Sequence, residues 1–217
     1  MDMGRFENLG DNCEFGFVQT RLGHHEGALL RWAFARPEAL LNLLTLGADG
    51  LYQLDNLEPW DTSVLLRDRK YGIGFHSRIA KADGVFTGSE AERVAVHAEE
   101  AAKMAYLIGK FRSNAKDPAR IYVYKSPDSM PAIEAEIMAL FAARFSGSLL
   151  LMTASNAGRA GTVERLSERV LRGHIDRFAP YHQADDISLD SWSAVLAAAI
   201  AACDKSTAPA KEKAARA

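Results

Sequence analysis

The sequence predicts an α/β fold built on a parallel sheet, and three stretches carry that prediction. Arg120-Ile121-Tyr122-Val123-Tyr124-Lys125 is rich in β-branched and aromatic residues and reads as a strand. A helical pattern from about Met130 to Phe145 follows. Then comes Ser148-Leu149-Leu150-Leu151-Met152-Thr153, an unbroken apolar run of the kind buried on both faces of a sheet. Strand, helix and strand with short links read as a right-handed βαβ unit, which places the two strands parallel. The N-terminal stretch adds a further unit. Phe6 and Leu9 lead into Gly10, three polar residues and an amphipathic run from Phe15 to Leu22, the pattern of strand, tight turn and helix.

The remaining elements follow in order. Pro37 opens a helix that runs to Leu46 and is stopped by Gly47. Gly50 to Leu54 reads as a strand or edge segment, and Asn56 to Asp61 as a loop. Val64–Asp68 and Tyr71–His76 read as two strands joined by a charged turn. In the second, Gly72, Gly74 and His76 share one face, which leaves room for a close approach. Ser89 with Glu92 forms a capping-box pattern that starts a helix reaching about Phe111. On it, His97 lies among Glu99, Glu100 and Lys103 and reads as part of a solvated face. Val163 to Phe178 suggests a strand pair, with His174 and His182 in polar connections. The last helix opens at Asp190-Ser191-Trp192 and ends at Cys203, and the Ala/Lys-rich segment 205–217 reads as a disordered tail. The expected organisation is a single domain over residues 1–204.

Composition narrows the function classes. A chain of 217 residues is long enough for one well-buried core. A formal net charge of -2 supplies no overall pull toward nucleic acid or an anionic membrane. No apolar run has the length of a membrane span, and the N-terminus lacks the pattern of a signal peptide. Cys13 and Cys203 lie far apart and do not suggest a disulfide framework, so a cytoplasmic protein is expected. His24-His25 has no second ligand cluster nearby and reads as a solvated turn rather than a metal site. Ser155 to Gly161 lacks the ending of a phosphate loop, and the sequence names no cofactor.

The chemistry concentrates in Gly10-Asp11-Asn12-Cys13-Glu14. With Asp11 or Asn12 as helix cap, Cys13 falls in the first turn, over unpaired N–H groups and the positive end of the helix dipole. Both favour a thiolate and predict a lowered pKa. The same N–H groups could hold an oxyanion in acyl transfer. The alternative is that Cys13 is a small buried hydrophobe beneath a glycine turn.

Leu9 to Gly16, Leu30-Arg31-Trp32 and Tyr71-Gly72-Ile73-Gly74-Phe75-His76 together resemble a bacterial family of unknown function described as papain-like cysteine peptidases. The similarity continues through Ile121 to Lys125. The resemblance implies Cys13 as nucleophile and His76 as its base, and a small-molecule, glycan or peptide substrate, since members occur beside glycan-biosynthetic enzymes. Many members carry Phe-Asp-Trp where this chain has Leu30-Arg31-Trp32, so no acid is supplied there. Asp83, Asp61 and Asp68 are candidates for a third member by nearness to His76, with Asp83 the expected one. The backbone N–H groups of Cys13 and Glu14, helped by the Asn12 side chain, would form the oxyanion site, with Gly10 and Asp11 shaping the turn. The same opening block also resembles that of Gly-Asp-Ser hydrolases and of capsule-polysaccharide acetyltransferases. That likeness implies a three-layer sandwich around a mixed, mostly parallel sheet, with acetyl-coenzyme A as donor only on the transferase branch. A non-catalytic binding module is the remaining alternative.

Overall fold

The computed structural model describes residues 1–60, 64–125, 130–155 and 158–214, with side chains of the last segment as far as Lys205. The chain opens with β1 (Phe6–Asn8) and α1 (Glu14–Arg21). A long insertion follows, containing β2 (Ala33–Phe34), α2 (Pro37–Leu46), β3 (Leu57–Pro59), β4 (Leu65–Asp68), β5 (Ile73–His76) and the hairpin of β6 (Lys81–Ala82) and β7 (Val85–Phe86). Helix α3 (Glu90–Asn114) leads back to β8 (Ile121–Lys125), α4 (Pro131–Arg144) and β9 (Ser148–Ala154). The chain then forms β10 (Thr162–Arg165), β11 (Val170–Ile175) and α5 (Leu189–Ala214).

The main sheet has the order β1-β8-β9-β11-β10. Its first four strands are parallel and β10 is an antiparallel edge. Because side chains alternate along a strand, β8 and β9 feed two cores. Ile121, Val123, Leu150 and Met152 face α1 and α5 through Phe15, Val18, Trp192 and Val195. Tyr122, Tyr124, Leu149 and Leu151 face the opposite layer, where α2, α3 and α4 contribute Leu43, Leu107, Phe111, Ile137 and Phe141. The result is the expected three-layer α/β sandwich with a mixed, mostly parallel sheet. The insertion forms a second, antiparallel sheet of order β2-β5-β4-β3, whose Leu66, Ile73 and Phe75 join that second core.

Several local expectations are corrected. The segment expected as a strand at Gly50–Leu54 is a turn, because Gly50 and Tyr52 take left-handed φ values of 71 and 65 degrees. The Tyr52 N–H there donates to buried Asp68. The strand is instead β3, in the stretch read as a loop. The room expected on the glycine face of β5 is filled, since a Cβ on Gly74 would lie 2.3 Å from the Trp60 ring. His97 is not simply solvated: its ring stacks on Tyr52, and its Nε2 lies 2.9 Å from the Tyr52 carbonyl oxygen. His174 lies on β11, only 2% exposed, with Nδ1 2.8 Å from Ser155 Oγ, so it ties strands together inside the sheet. Helix α5 continues beyond Cys203 into the segment expected to be an unstructured tail.

Candidate active site

The site begins where β1 ends. Asn8 Oδ1 accepts from the Gly10 N–H, and Gly10 and Asp11 both adopt left-handed φ values, 96 and 76 degrees. Glycine is required at the first of these, because a Cβ there would also sit 2.8 Å from the Ala35 Cβ. The turned loop is tied to the insertion by a double backbone bridge. The Asp11 N–H donates to the Ala35 carbonyl at 3.1 Å, and the Ala35 N–H returns a bond to Asp11 at 3.2 Å.

Below this loop lies a buried charge cluster. The Lys125 ammonium, at the end of β8, stands 3.2 Å from Asp11 Oδ2 and 3.1 Å from Glu14 Oε2. Trp192 Nε1 donates to the other Glu14 oxygen, and the Tyr181 hydroxyl donates to Asp11 Oδ1 at 2.5 Å. Both carboxylates are enclosed, Glu14 completely. Two acids sharing one cation, each with a further donor, fix the conformation of the loop that carries the thiol. Asp11 and Glu14 thus hold the loop through their side chains and Lys125, Tyr181 and Trp192, which the sequence did not single out. A lone lysine closing the apolar run Ile121–Tyr124 was the available signal, because β8 pairs directly with β1.

Cys13 caps α1 and is half-buried, and its Sγ lies 3.9 Å from His76 Nε2. His76 is the last residue of β5 in the small sheet, so the imidazole comes from the insertion and the thiol from the turn that follows β1 of the main sheet. The charge state departs from expectation. Burial pushes the Cys13 thiol up rather than down. One donor expected to help is also spent, because the first N–H of α1, on Glu14, is taken by Asn12 Oδ1 at 3.0 Å. His76 keeps an exposed edge, yet packing around its ring, and then the nearby Lys81 ammonium, lower its pKa. The resting pair is an uncharged thiol beside an uncharged imidazole.

The oxyanion expectation is corrected in the same way. The Glu14 N–H is occupied, whereas the Cys13 N–H has no partner among the described residues. The Asn12 amide nitrogen is buried and unpartnered. Of the expected donors, the Glu14 N–H is therefore spent, while the Cys13 N–H and the Asn12 amide, among the described residues, are not.

No third member of a triad touches His76 among the described residues. Asp83 is exposed at the turn between β6 and β7, with φ 51 degrees, and no hydrogen bond or ion pair joins it to His76. Asp68 is fully buried and spent on the N–H groups of Tyr52 and Tyr71. Asp61 lies outside the described residues. Arg31, standing where the resembled family has an acid, is buried and donates to Thr20 Oγ1 and to the Glu26 and His24 carbonyls. It staples the loop after α1 to that helix. The acid that does approach is Glu100 of α3. It accepts from the Ser77 and Tyr52 hydroxyls and from the Arg78 N–H at 2.7 to 2.8 Å, so it holds the chain immediately after His76.

A cleft of about 650 Å³ opens beside His76, walled by Leu29, Trp32, Phe75, Met104 and Leu107. Trp32 also packs against the first turns of α1, with its ring 5.1 Å from that of Phe17. Among the described residues no group of three or more His, Cys, Asp or Glu is placed to hold a metal ion. Nor is any helix among them long and apolar enough to cross a membrane. Compared with protein-family models, with curated proteins and with solved structures, the chain matches none.

Proposed function

We propose that the protein is a cysteine-dependent acyl-transfer enzyme, a hydrolase or acyltransferase, with Cys13 as nucleophile and His76 as general base. The observation that carries this reading is the 3.9 Å approach of Cys13 Sγ to His76 Nε2, with His76 lining a cleft. Catalytic contacts often tighten only when substrate is bound, and the pair already lies close to bonding distance.

In this mechanism His76 Nε2 takes the thiol proton as Sγ attacks the acyl carbonyl. The oxyanion is held by the Cys13 N–H and the Asn12 amide. Collapse expels the leaving group, which takes the proton from His76 and leaves a thioester on Cys13. Water or a second acceptor then attacks the thioester, His76 again accepts the proton, and the thiol is restored on release. The neutral resting pair makes proton removal part of the attack, unlike a preformed thiolate–imidazolium. The Cys–His chemistry follows the cysteine-peptidase resemblance, while the parallel sheet with its nucleophile at a helix start accords better with the Gly-Asp-Ser hydrolase likeness. Two free thiols far apart suit a cytoplasmic setting.

The test is trapping. Incubation with an activated acyl thioester, followed by peptide mass spectrometry, should place the acyl adduct on Cys13 and not on Cys203. Equal slow labelling of both, or none, would refute the enzyme reading and favour a binding module.

A further inference from the structure

Resting on the Cys13–His76 reading, we propose that the group transferred is an aliphatic acyl chain, held in the cleft beside His76. The chemistry of the walls carries this. Leu29, Phe75, Met104 and Leu107 form an apolar floor that is almost closed to water, and Trp32 and Val64 extend it to an exposed rim. Sugars and peptide backbones need unspent hydrogen-bonding groups, and most of the polar groups that also line this cleft are bonded to one another. Glu100 already accepts from Tyr52, Ser77 and Arg78, and the Arg78 guanidinium is paired with Glu99. Lys103 also lines the cleft, exposed and without a partner among the described residues, a single cation beside an apolar floor. A substrate portion buried here gains by leaving water, not by polar recognition.

The position of the cleft links it to the chemistry. Cys13 does not itself line the cleft, but His76, which faces the thiol, and Trp32, which packs on α1 near Cys13, both do. A carbonyl at Sγ would therefore run its chain along the floor between the small sheet and α3. Its leaving group would stay on the solvent side.

The experiment is a series of nitrophenyl esters from acetate to decanoate, with kcat/KM measured for each and Cys13 acylation followed by intact mass. Each methylene that enters the cleft should raise kcat/KM about fourfold until the cleft is filled. Met104→Gln on the floor and Val64→Glu at the exposed rim should each flatten the series. The rim variant keeps the test informative if the floor variant does not fold. Equal kcat/KM along the wild-type series, with Cys13 acylated by every ester, would overturn the aliphatic-chain inference and leave the enzyme reading standing. Failure of any ester to acylate Cys13 would overturn both.

Discussion

His76→Ala tests the neutral-pair mechanism most directly. In the native protein the thiol is pushed up by burial and the imidazole pushed down by packing and Lys81. A thiol of ordinary pKa, about 8.5, is only about 1% thiolate two pH units lower, and Cys13 stands above that ordinary value. Spontaneous thiolate is thus scarce at neutral pH, and the rate depends on His76 removing the proton. A positioned general base contributes about 10²- to 10⁴-fold, or about 2.7 to 5.5 kcal/mol of barrier. The alanine variant should therefore acylate slower by that factor near neutrality, followed as stopped-flow nitrophenolate release. The shape of the pH profile is the stronger readout. Because the folded His76 pKa is lowered, wild-type acylation should rise through an ionisation below about 6.5 and then level. In His76→Ala that limb should vanish, and the rate should climb about tenfold per pH unit as hydroxide supplies the thiolate. The gap would narrow in alkali. Superimposable profiles for the two proteins would remove His76 from the mechanism.

Three further outcomes are expected. Lys125→Met leaves the enclosed Asp11 and Glu14 without their shared cation and should cost about 3–5 kcal/mol in urea denaturation. A loss below about 1 kcal/mol would show that Lys125 does not hold the loop. Asn12→Ala should lower kcat about 10²- to 10³-fold with little change in KM, if the buried amide bonds the oxyanion. A lower Tm with unchanged kcat would leave Asn12 only its capping role. Burial raises the Glu7 pKa in the folded state, with the Asn114 amide opposing it only in part. Glu7 thus favours folding only at low pH, and that stability is lost as pH rises through the raised value. Glu7→Gln should melt higher than wild type at neutral pH, with the difference closing in acid. A lower neutral Tm would contradict this.

The parts of the molecule legible in the sequence are those written locally. The β8–α4–β9 unit follows from periodicity and short links, and the Cys13 block from its turn residues. The Ser89–Glu92 capping box is present as expected. What escaped depends on distant neighbours. Glu100 sits in a charged run and looks solvated, yet the hydroxyls of Tyr52 and Ser77 bring its carboxylate against the His76 segment. Asp83 was chosen for closeness along the chain, but the β6–β7 hairpin turns it outward to solvent. The helix start beside Cys13 is visible in the sequence, whereas the burial that raises its pKa is set by tertiary packing. The Asn12 oxygen accepts from the very N–H expected to serve the oxyanion, a bond that only the folded turn reveals, and so takes Glu14 out of that role.

The double backbone bridge between Asp11 and Ala35 has a consequence for how this fold can diversify. Main-chain bonds do not depend on side-chain identity, so the bridge survives substitution on either side of it. The large sheet can keep its nucleophile turn constant while the insertion, which brings the base and one side of the cleft, varies almost independently. Exchange within residues 33–86 would then alter the base's setting and the Val64–Phe75 side of the cleft, and the joint through Ala35 would keep that side in register with the same sulfur.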